Sequence, residues 1–258
     1  MAIKGDKRAL GLILSGQPLP IKDANIFVTQ PKIKDIVLFG EDDFLIAVQM
    51  IVSMEQFAEQ VKRGNSELNV ISDFQLLLIM VEEDPTVKKM ILDLFTLIFP
   101  DYKVKFTENT IDFLISSDED QEQLVGRIHP FNFENLQTTL NDAFIPQGEN
   151  EREPDYNPAN DMASKIAEKI KKGREKIHAQ KAAAEGDHSI YADYCSTLSI
   201  GMRMDVGIFF NYTPFQLYDA YRRFFSKEQS DFYMRVSSMP LMDTSKMETP
   251  PDWQRNLY

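Results

Sequence analysis

The sequence predicts an α+β fold that is mainly helical, and three features indicate it. Apolar residues recur at helical spacing before residue 100 and after residue 158. Between these regions the apolar spacing changes to every second residue, first at Val104–Phe106 and again at Ile111–Ile115. A segment rich in Pro, Gly, Asn and acidic residues, IPQGENEREPDYN, separates the two patterned regions. We therefore expect a domain of helices plus a small antiparallel sheet over residues 1–147, an acidic linker over 148–158, and an all-α region over 159–258.

Start and stop signals predict three helices at the beginning of the first domain. The segment 40–63 begins with three acidic residues after a glycine and ends with basic ones, which suits the helix dipole. Ser72 and Gln75 have the spacing of a capping box at the start of the second helix. Asp84 followed by Pro85 starts the third helix, which we expect to continue to residue 99.

The alternating segments predict three strands, 104–106, 111–115 and 123–128, followed by a closing helix over 132–144. The acidic run Ser116–Gln121 between the second and third strands is interpreted as a solvated hairpin tip. A calcium loop would require a full alternating series of ligands with a glycine and a terminal glutamate, and this run lacks them.

Composition and charge argue against several classes of function. The formal net charge of -12 is unsuited to binding phosphate backbones or anionic membranes. The sequence contains no apolar run of about 20 residues and no secretion signal, so we expect neither a membrane partner nor export. A lone cysteine, Cys195, excludes an intramolecular disulfide and favours an intracellular protein. The helix predicted over 161–184 is basic, and we interpret it as a solvated or internally packed helix rather than a nucleic-acid site.

No set of residues predicts catalysis, a cofactor or a metal site. The three histidines, His129, His178 and His188, lack metal-ligand spacing, and a lone cysteine cannot complete a zinc site. Phosphate-binding, dinucleotide-binding and nucleophile-elbow motifs are absent. The sequence therefore favours a protein without enzymatic activity.

The segment SIYADYCSTLSIGMRMDVGIFFNYTPFQLYDAYRRFF, residues 189–225, predicts three short amphipathic helices. Thr213, Pro214 and Gln216 form a strong start signal for the last of them. The helix that begins Tyr-Thr-x-x-Gln-Leu-Tyr-Asp after a short Gly-Met-Asp turn resembles the C-terminal part of tail assembly chaperones of tailed phages and prophages.

This resemblance implies a protein that acts in the host cell cytoplasm during tail morphogenesis. Proteins of that class bind the tape measure protein and tail tube subunits while the tail grows, and they are left out of the finished virion. The resemblance assigns no binding residue. Other classes remain open, namely a structural tail or baseplate component and a small regulatory or anti-defence binding protein.

Aromatic residues near the start of the last helix are candidates for contact with a client protein. The alternative is that they fill the core of a small helical bundle. The candidates are Phe209, Phe210, Tyr218, Tyr221 and Arg222. Self-association also remains open, because an apolar seam along the basic helix 161–184 would suit pairing within the protein or with a second copy.

Overall fold

The computed structural model describes residues 7–54, 72–116, 122–145 and 189–238, together with Trp253. The fold is α+β and mainly helical, as the sequence predicts. The chain divides into two units, one formed by Met1–Pro146 with Tyr194–Tyr258 and the other by Gln147–Asp193. Of the second unit the structure describes Ser189–Asp193. The predicted linker 148–158 and basic helix 161–184 lie outside the described residues.

The described residues form helices and two separate groups of strands. The helices are α1 (Lys7–Ser15), α2 (Ile33–Phe39), α3 (Glu41–Val52), α4 (Asp73–Glu83), α5 (Pro85–Ile98), α6 (Phe133–Phe144), α7 (Ile190–Met202), α8 (Val206–Phe209) and α9 (Pro214–Ser237). The strands are β1 (Leu19–Ile21), β2 (Ile26–Val28), β3 (Lys103–Phe106), β4 (Ile111–Ser116) and β5 (Glu122–Ile128). The first two strands lie between α1 and α2, and the other three lie between α5 and α6.

The predicted start signals of α4 and α5 are confirmed by their hydrogen bonds. The Gln75 amide N–H donates to Ser72 Oγ over 3.2 Å, and the Ser72 N–H donates to Gln75 Oε1 over 3.1 Å. At the next helix, Asp84 Oδ1 accepts from the Thr86 N–H over 2.8 Å. These side chains satisfy backbone donors that the first turn of a helix leaves unpaired.

The predicted extent of the helix over 40–63 is wrong, because α3 ends at Val52. Ser53 leaves the helical conformation, with φ −100° and ψ 24°. Its hydroxyl accepts a hydrogen bond from the Gln49 side chain over 2.5 Å. This bond joins two side chains and leaves the backbone hydrogen bonds unchanged, and the apolar spacing gives no signal of the helix end. Residues 55–71 lie outside the described part of the chain.

The predicted antiparallel sheet is confirmed in the order β3-β4-β5. Val104 pairs with Phe113, and Phe113 pairs with Gly126 on the other side. The sheet packs against α5. The ring of Phe99, the residue after α5, lies 4.8 Å from that of Phe113 between centroids, in an edge-to-face arrangement. A second sheet, the hairpin β1-β2, was not predicted. Its strands have three residues each, too few to establish an alternating pattern.

The C-terminal helices are part of the same unit as the first 146 residues. The helix α9 packs on α1 and α6. The first backbone donors of α2 are satisfied from the C-terminal segment, since the Ile33 N–H donates to Tyr212 O over 2.9 Å and the Lys34 N–H to Phe210 O over 3.0 Å. The N–H groups of Ile33 and Lys34 at the start of α2 are therefore paired only when residues 210 and 212 are in place.

Candidate protein-binding surface

Four aromatic side chains from α7 and α9 pack together, and we call them the aromatic cluster: Tyr194, Tyr218, Tyr221 and Phe225. The Tyr194 ring lies 4.2 Å from the Tyr221 ring and 6.3 Å from the Tyr218 ring, measured between centroids. The Phe225 ring lies 4.7 Å from that of Tyr221. On α9 these residues are three and four positions apart, which places them on one side of the helix.

Gly201 allows α7 to approach α9 beside this cluster. A Cβ atom at this position would overlap the ring of Phe224, which in turn packs edge-to-face against Phe225 at 5.8 Å. A larger residue here would force the Phe224 ring to move, although the helical backbone itself would accept a side chain. The contact fixes the two helices that carry the cluster.

The polar groups around the cluster are held by defined interactions. The Arg222 guanidinium lies over the Tyr218 ring, 5.8 Å from its centroid. Arg223 Nε donates to both carboxylate oxygens of Asp219 over 3.0 and 2.9 Å. Burial raises the pKa of the Tyr194 hydroxyl, and the neighbouring hydroxyls of Tyr218 and Tyr221 raise it further. The Tyr194 hydroxyl is therefore neutral at physiological pH, and the Arg222 cation lies over the Tyr218 ring.

The structure brings three of the five predicted client-binding residues together. Tyr218, Tyr221 and Arg222 are half-buried and lie in or beside the aromatic cluster. Phe210 is half-buried in the turn after α8, where its carbonyl accepts from α2. Phe209 is only 1% exposed, and its ring packs against Tyr212 at 5.5 Å, so it belongs to the core rather than to an accessible surface.

A set of exposed apolar residues spanning the end of α7 and the start of α8 was not predicted from the sequence. We call it the apolar turn, and its members are Ile200, Met202, Met204, Val206 and Ile208. Ile200 is 78% exposed. The signal in the sequence is an apolar residue at every second position from 200 to 208. This spacing does not match one face of a helix, and a strand is not expected at a junction between two helices.

Local hydrogen bonds hold the apolar turn in a defined shape. Arg203 has a left-handed backbone with φ 56°, and the Met204 N–H donates back to Ser199 O over 3.1 Å. The Ser199 hydroxyl donates to Met204 O over 2.7 Å. Asp205 then starts α8 by accepting from the Gly207 N–H over 2.7 Å. This is a helix C-terminal motif joined directly to an N-cap, so the exposed side chains stand on an ordered backbone.

No family model, curated protein or solved structure matches the chain.

Neither histidine nor cysteine chemistry is supported by the environments that the structure describes. Cys195 is fully buried, and burial, with a smaller contribution from Glu41, raises the pKa of its thiol to about 11. His129 Nδ1 accepts from the Phe131 N–H over 3.2 Å in a tight turn. His178 and His188 lie outside the described residues. Within the described ranges, no group of His, Cys, Asp or Glu side chains could hold a metal ion.

An open groove of about 620 Å³ lies along the β1-β2 hairpin, with Arg127 and His129 in its lining. The guanidinium of Arg127 donates from Nε and Nη2 to Asp112 over 2.6 and 2.9 Å. These hydrogen bonds hold the pKa of the Asp112 carboxyl below its usual range. Arg127 and His129 thus have structural bonds within the sheet and the following turn. Across the described helices, none is long and apolar enough to span a membrane.

Proposed function

We propose that this chain is a non-enzymatic tail assembly chaperone that binds the tape measure protein, tail tube subunits, or both during tail morphogenesis. The surface we assign to the client consists of the apolar turn and the neighbouring aromatic cluster. The observation that carries the proposal is the concentration of exposed apolar side chains at the junction of α7 and α8.

The chemistry of the apolar turn suits a client that exposes apolar helix. Two of its five members are methionines, whose flexible and polarisable side chains adapt to irregular partners. Aromatic rings next to it add large contact areas with little loss of conformational entropy. An amphipathic client helix would lay its apolar side chains on such a surface.

Two properties of the sequence support the same function. The resemblance in residues 189–225 covers both the apolar turn and the aromatic residues of α9. The net charge of -12 would keep a complex with an aggregation-prone client in solution.

The test is co-expression of the full chain with its cognate tape measure protein. We expect the soluble fraction of the tape measure protein to rise and a complex to survive purification. The variant Ile200→Ser/Met202→Ser should lose both effects, because it removes exposed apolar contact area without touching the core.

The matched control is Leu38→Ser, since Leu38 is a similarly exposed apolar residue on α2, outside the apolar turn. This variant should behave as the unmodified chain. If the tape measure protein is equally insoluble with and without this protein, the chaperone proposal is wrong. If the two variants impair solubility equally, the assigned surface is wrong.

A further inference from the structure

The two halves of α9 differ in their surroundings. The first half buries Phe215, Leu217, Asp219 and Ser226 against the rest of the unit. After residue 226 most side chains are exposed, and Val236 is the one buried residue of this second half. The second half is therefore a helical arm with side chains open to a partner.

One stripe of aromatic and charged residues begins at Phe225, at the end of the first half, and continues along this arm. Phe225, Glu228, Phe232 and Arg235 follow each other at spacings of three, four and three residues, which is the spacing of a coiled-coil seam. Phe232 is 60% exposed and Phe225 is 42% exposed. The spacing places the four side chains on one side of the helix, with two exposed aromatic rings separated by a charged residue.

The two charges of the stripe are of opposite sign and are not paired with each other. They are seven residues apart, about two helical turns, too far for a direct ion pair. Glu228 has a 4.0 Å contact with Lys227. Arg235 makes no ion pair within 4.0 Å among the residues that the structure describes, but the hydrogen bond from Lys227 and, to a smaller extent, the charge of Arg235 lower the pKa of the Asp231 carboxyl. Lys227, by contrast, is paired with Asp231 over 2.6 Å. The stripe thus offers one acid and one base on either side of Phe232.

We infer that the occupant of this stripe is a second copy of the same chain, bound antiparallel through the second half of α9. A two-fold axis beside Phe232 places Glu228 of each copy opposite Arg235 of the other copy. The same axis brings the two Phe232 rings together. The stripe is complementary to itself in this orientation, as a two-fold symmetric interface requires.

The orientation is set by charge. A parallel arrangement would place Glu228 beside Glu228 and Arg235 beside Arg235, which is unfavourable. The interface involves roughly 14 residues of helix from each copy, about 20 Å in length, so we expect a weak dimer with micromolar dissociation. This inference needs no client and does not rest on the proposed function.

The experiment is sedimentation equilibrium of the full chain without a client, over a micromolar concentration range. The average mass should rise with concentration toward twice the 29.7 kDa of one chain. The variants Glu228→Arg and Arg235→Glu should each weaken the dimer at least tenfold, because each converts two attractive contacts into two repulsive ones. The double variant E228R/R235E should restore the dimer, since it exchanges the charges and keeps their complementarity.

Two controls use the same helix. The variant Met234→Ser removes an exposed apolar residue from outside the stripe and should leave the mass distribution unchanged. Phe232→Ser should abolish the dimer while thermal melting stays close to that of the unmodified chain. A chain that remains monomeric throughout overturns the inference. So does a dimer that single charge reversals leave intact, or one that the double variant fails to restore.

Discussion

Gly126 of β5 lies so close to the carbonyl oxygen of Ala24 that a Cβ atom at Gly126 would overlap it. The turn between β1 and β2 packs against β5 at this point. The Arg127 N–H donates to Ala24 O over 3.2 Å, and Asn25 Nδ2 donates to Val125 O over 2.7 Å. Asp23 and Asn25 have left-handed backbones, with φ 61° and 55°, which shape the turn for this contact.

The substitution Gly126→Ala should therefore destabilise the protein by about 3 kcal/mol, because backbone atoms on both sides of the contact must move. Chemical denaturation of the purified chain measures this. The control is Gly11→Ala, at an exposed position of α1 where a Cβ would meet nothing within 4 Å. It should increase the free energy of unfolding by about 0.5–1 kcal/mol, since alanine is the better helix former. Equal changes in the free energy of unfolding from the two substitutions would contradict the close approach of Gly126 to Ala24 O.

The stability contributed by Glu122 should depend on pH. Hydrogen bonds from Lys103 and Lys105 lower the pKa of the Glu122 carboxyl from 4.5 to about 2. Because the pKa is lower in the folded state, the stabilisation is present above about pH 4.5 and is lost as the pH falls toward about 2. The difference in unfolding free energy between the unmodified chain and Glu122→Gln should shrink over this interval.

The control for this pH dependence is Glu108→Gln, in the turn between β3 and β4. Glu108 makes no ion pair within the described residues, so its replacement should give a difference that stays small at every pH. Denaturation curves recorded from pH 6 to pH 2 in steps compare the two variants. A Glu122→Gln difference that grows as the pH falls would have the wrong sign for a paired carboxylate.

Cys195 should be inert in the folded protein. Its pKa of about 11 leaves roughly one thiolate in a thousand at pH 8, and the side chain is fully buried. Iodoacetamide should therefore modify the native chain only as fast as the chain opens, and unfolding should make the reaction rapid. Because Cys195 is the only cysteine, intact-mass spectrometry reads the reaction directly. Rapid alkylation under conditions in which the chain remains folded would show that the thiol is accessible and would contradict this prediction.

The sequence was sufficient for those parts of the fold whose causes are local. The start of α4 at Ser72, the start of α9 at Thr213 and the strands β3–β5 follow from capping residues and from apolar spacing. The β1-β2 hairpin could not be predicted in this way. It is held by contacts with β5, a strand about 100 residues later, and by the space that Gly126 leaves.

The candidate surface was predicted only in part. The spacing of apolar residues indicates which residues share one face of a helix, but it does not indicate which other elements pack on that face. Phe209 and Tyr218 are both aromatic residues near a helix terminus, yet the first is buried and the second is half-exposed. The Phe209 ring packs against Tyr212, whereas the Tyr218 ring lies in the aromatic cluster beside Tyr194. Ile200 was overlooked because the helix C-terminal motif after it interrupts the helical period.

Neighbouring residues of α9 should separate stability from client binding. Leu217 is fully buried, so Leu217→Ala should cost about 2–5 kcal/mol of stability. Tyr218 is half-buried, and Tyr218→Ala should cost only about 1 kcal/mol while weakening client binding. Thermal melting and a pull-down with the tape measure protein measure the two effects. If Tyr218→Ala unfolds the chain as Leu217→Ala does, Tyr218 has a core role instead.

The C-terminal helices should be required for the stability of the first 146 residues. A fragment of residues 1–146 loses the acceptors of the Ile33 and Lys34 N–H groups, Tyr212 O and Phe210 O. It also loses the packing of α9 on α1 and α6. Unpaired backbone donors and uncovered apolar side chains both lower stability, so this fragment should melt at a lower temperature and bind a hydrophobic dye.

Adding a second fragment of residues 189–258 should reverse both changes, because it supplies the missing acceptors and helix α9. A variant of this second fragment with Leu217→Ser should restore much less, since Leu217 is buried in the intact chain. Differential scanning fluorimetry of the fragments, alone and mixed, gives the comparison. If residues 1–146 melt cooperatively at the temperature of the full chain, they form an independent domain, and the contacts with residues 210 and 212 contribute little to its stability.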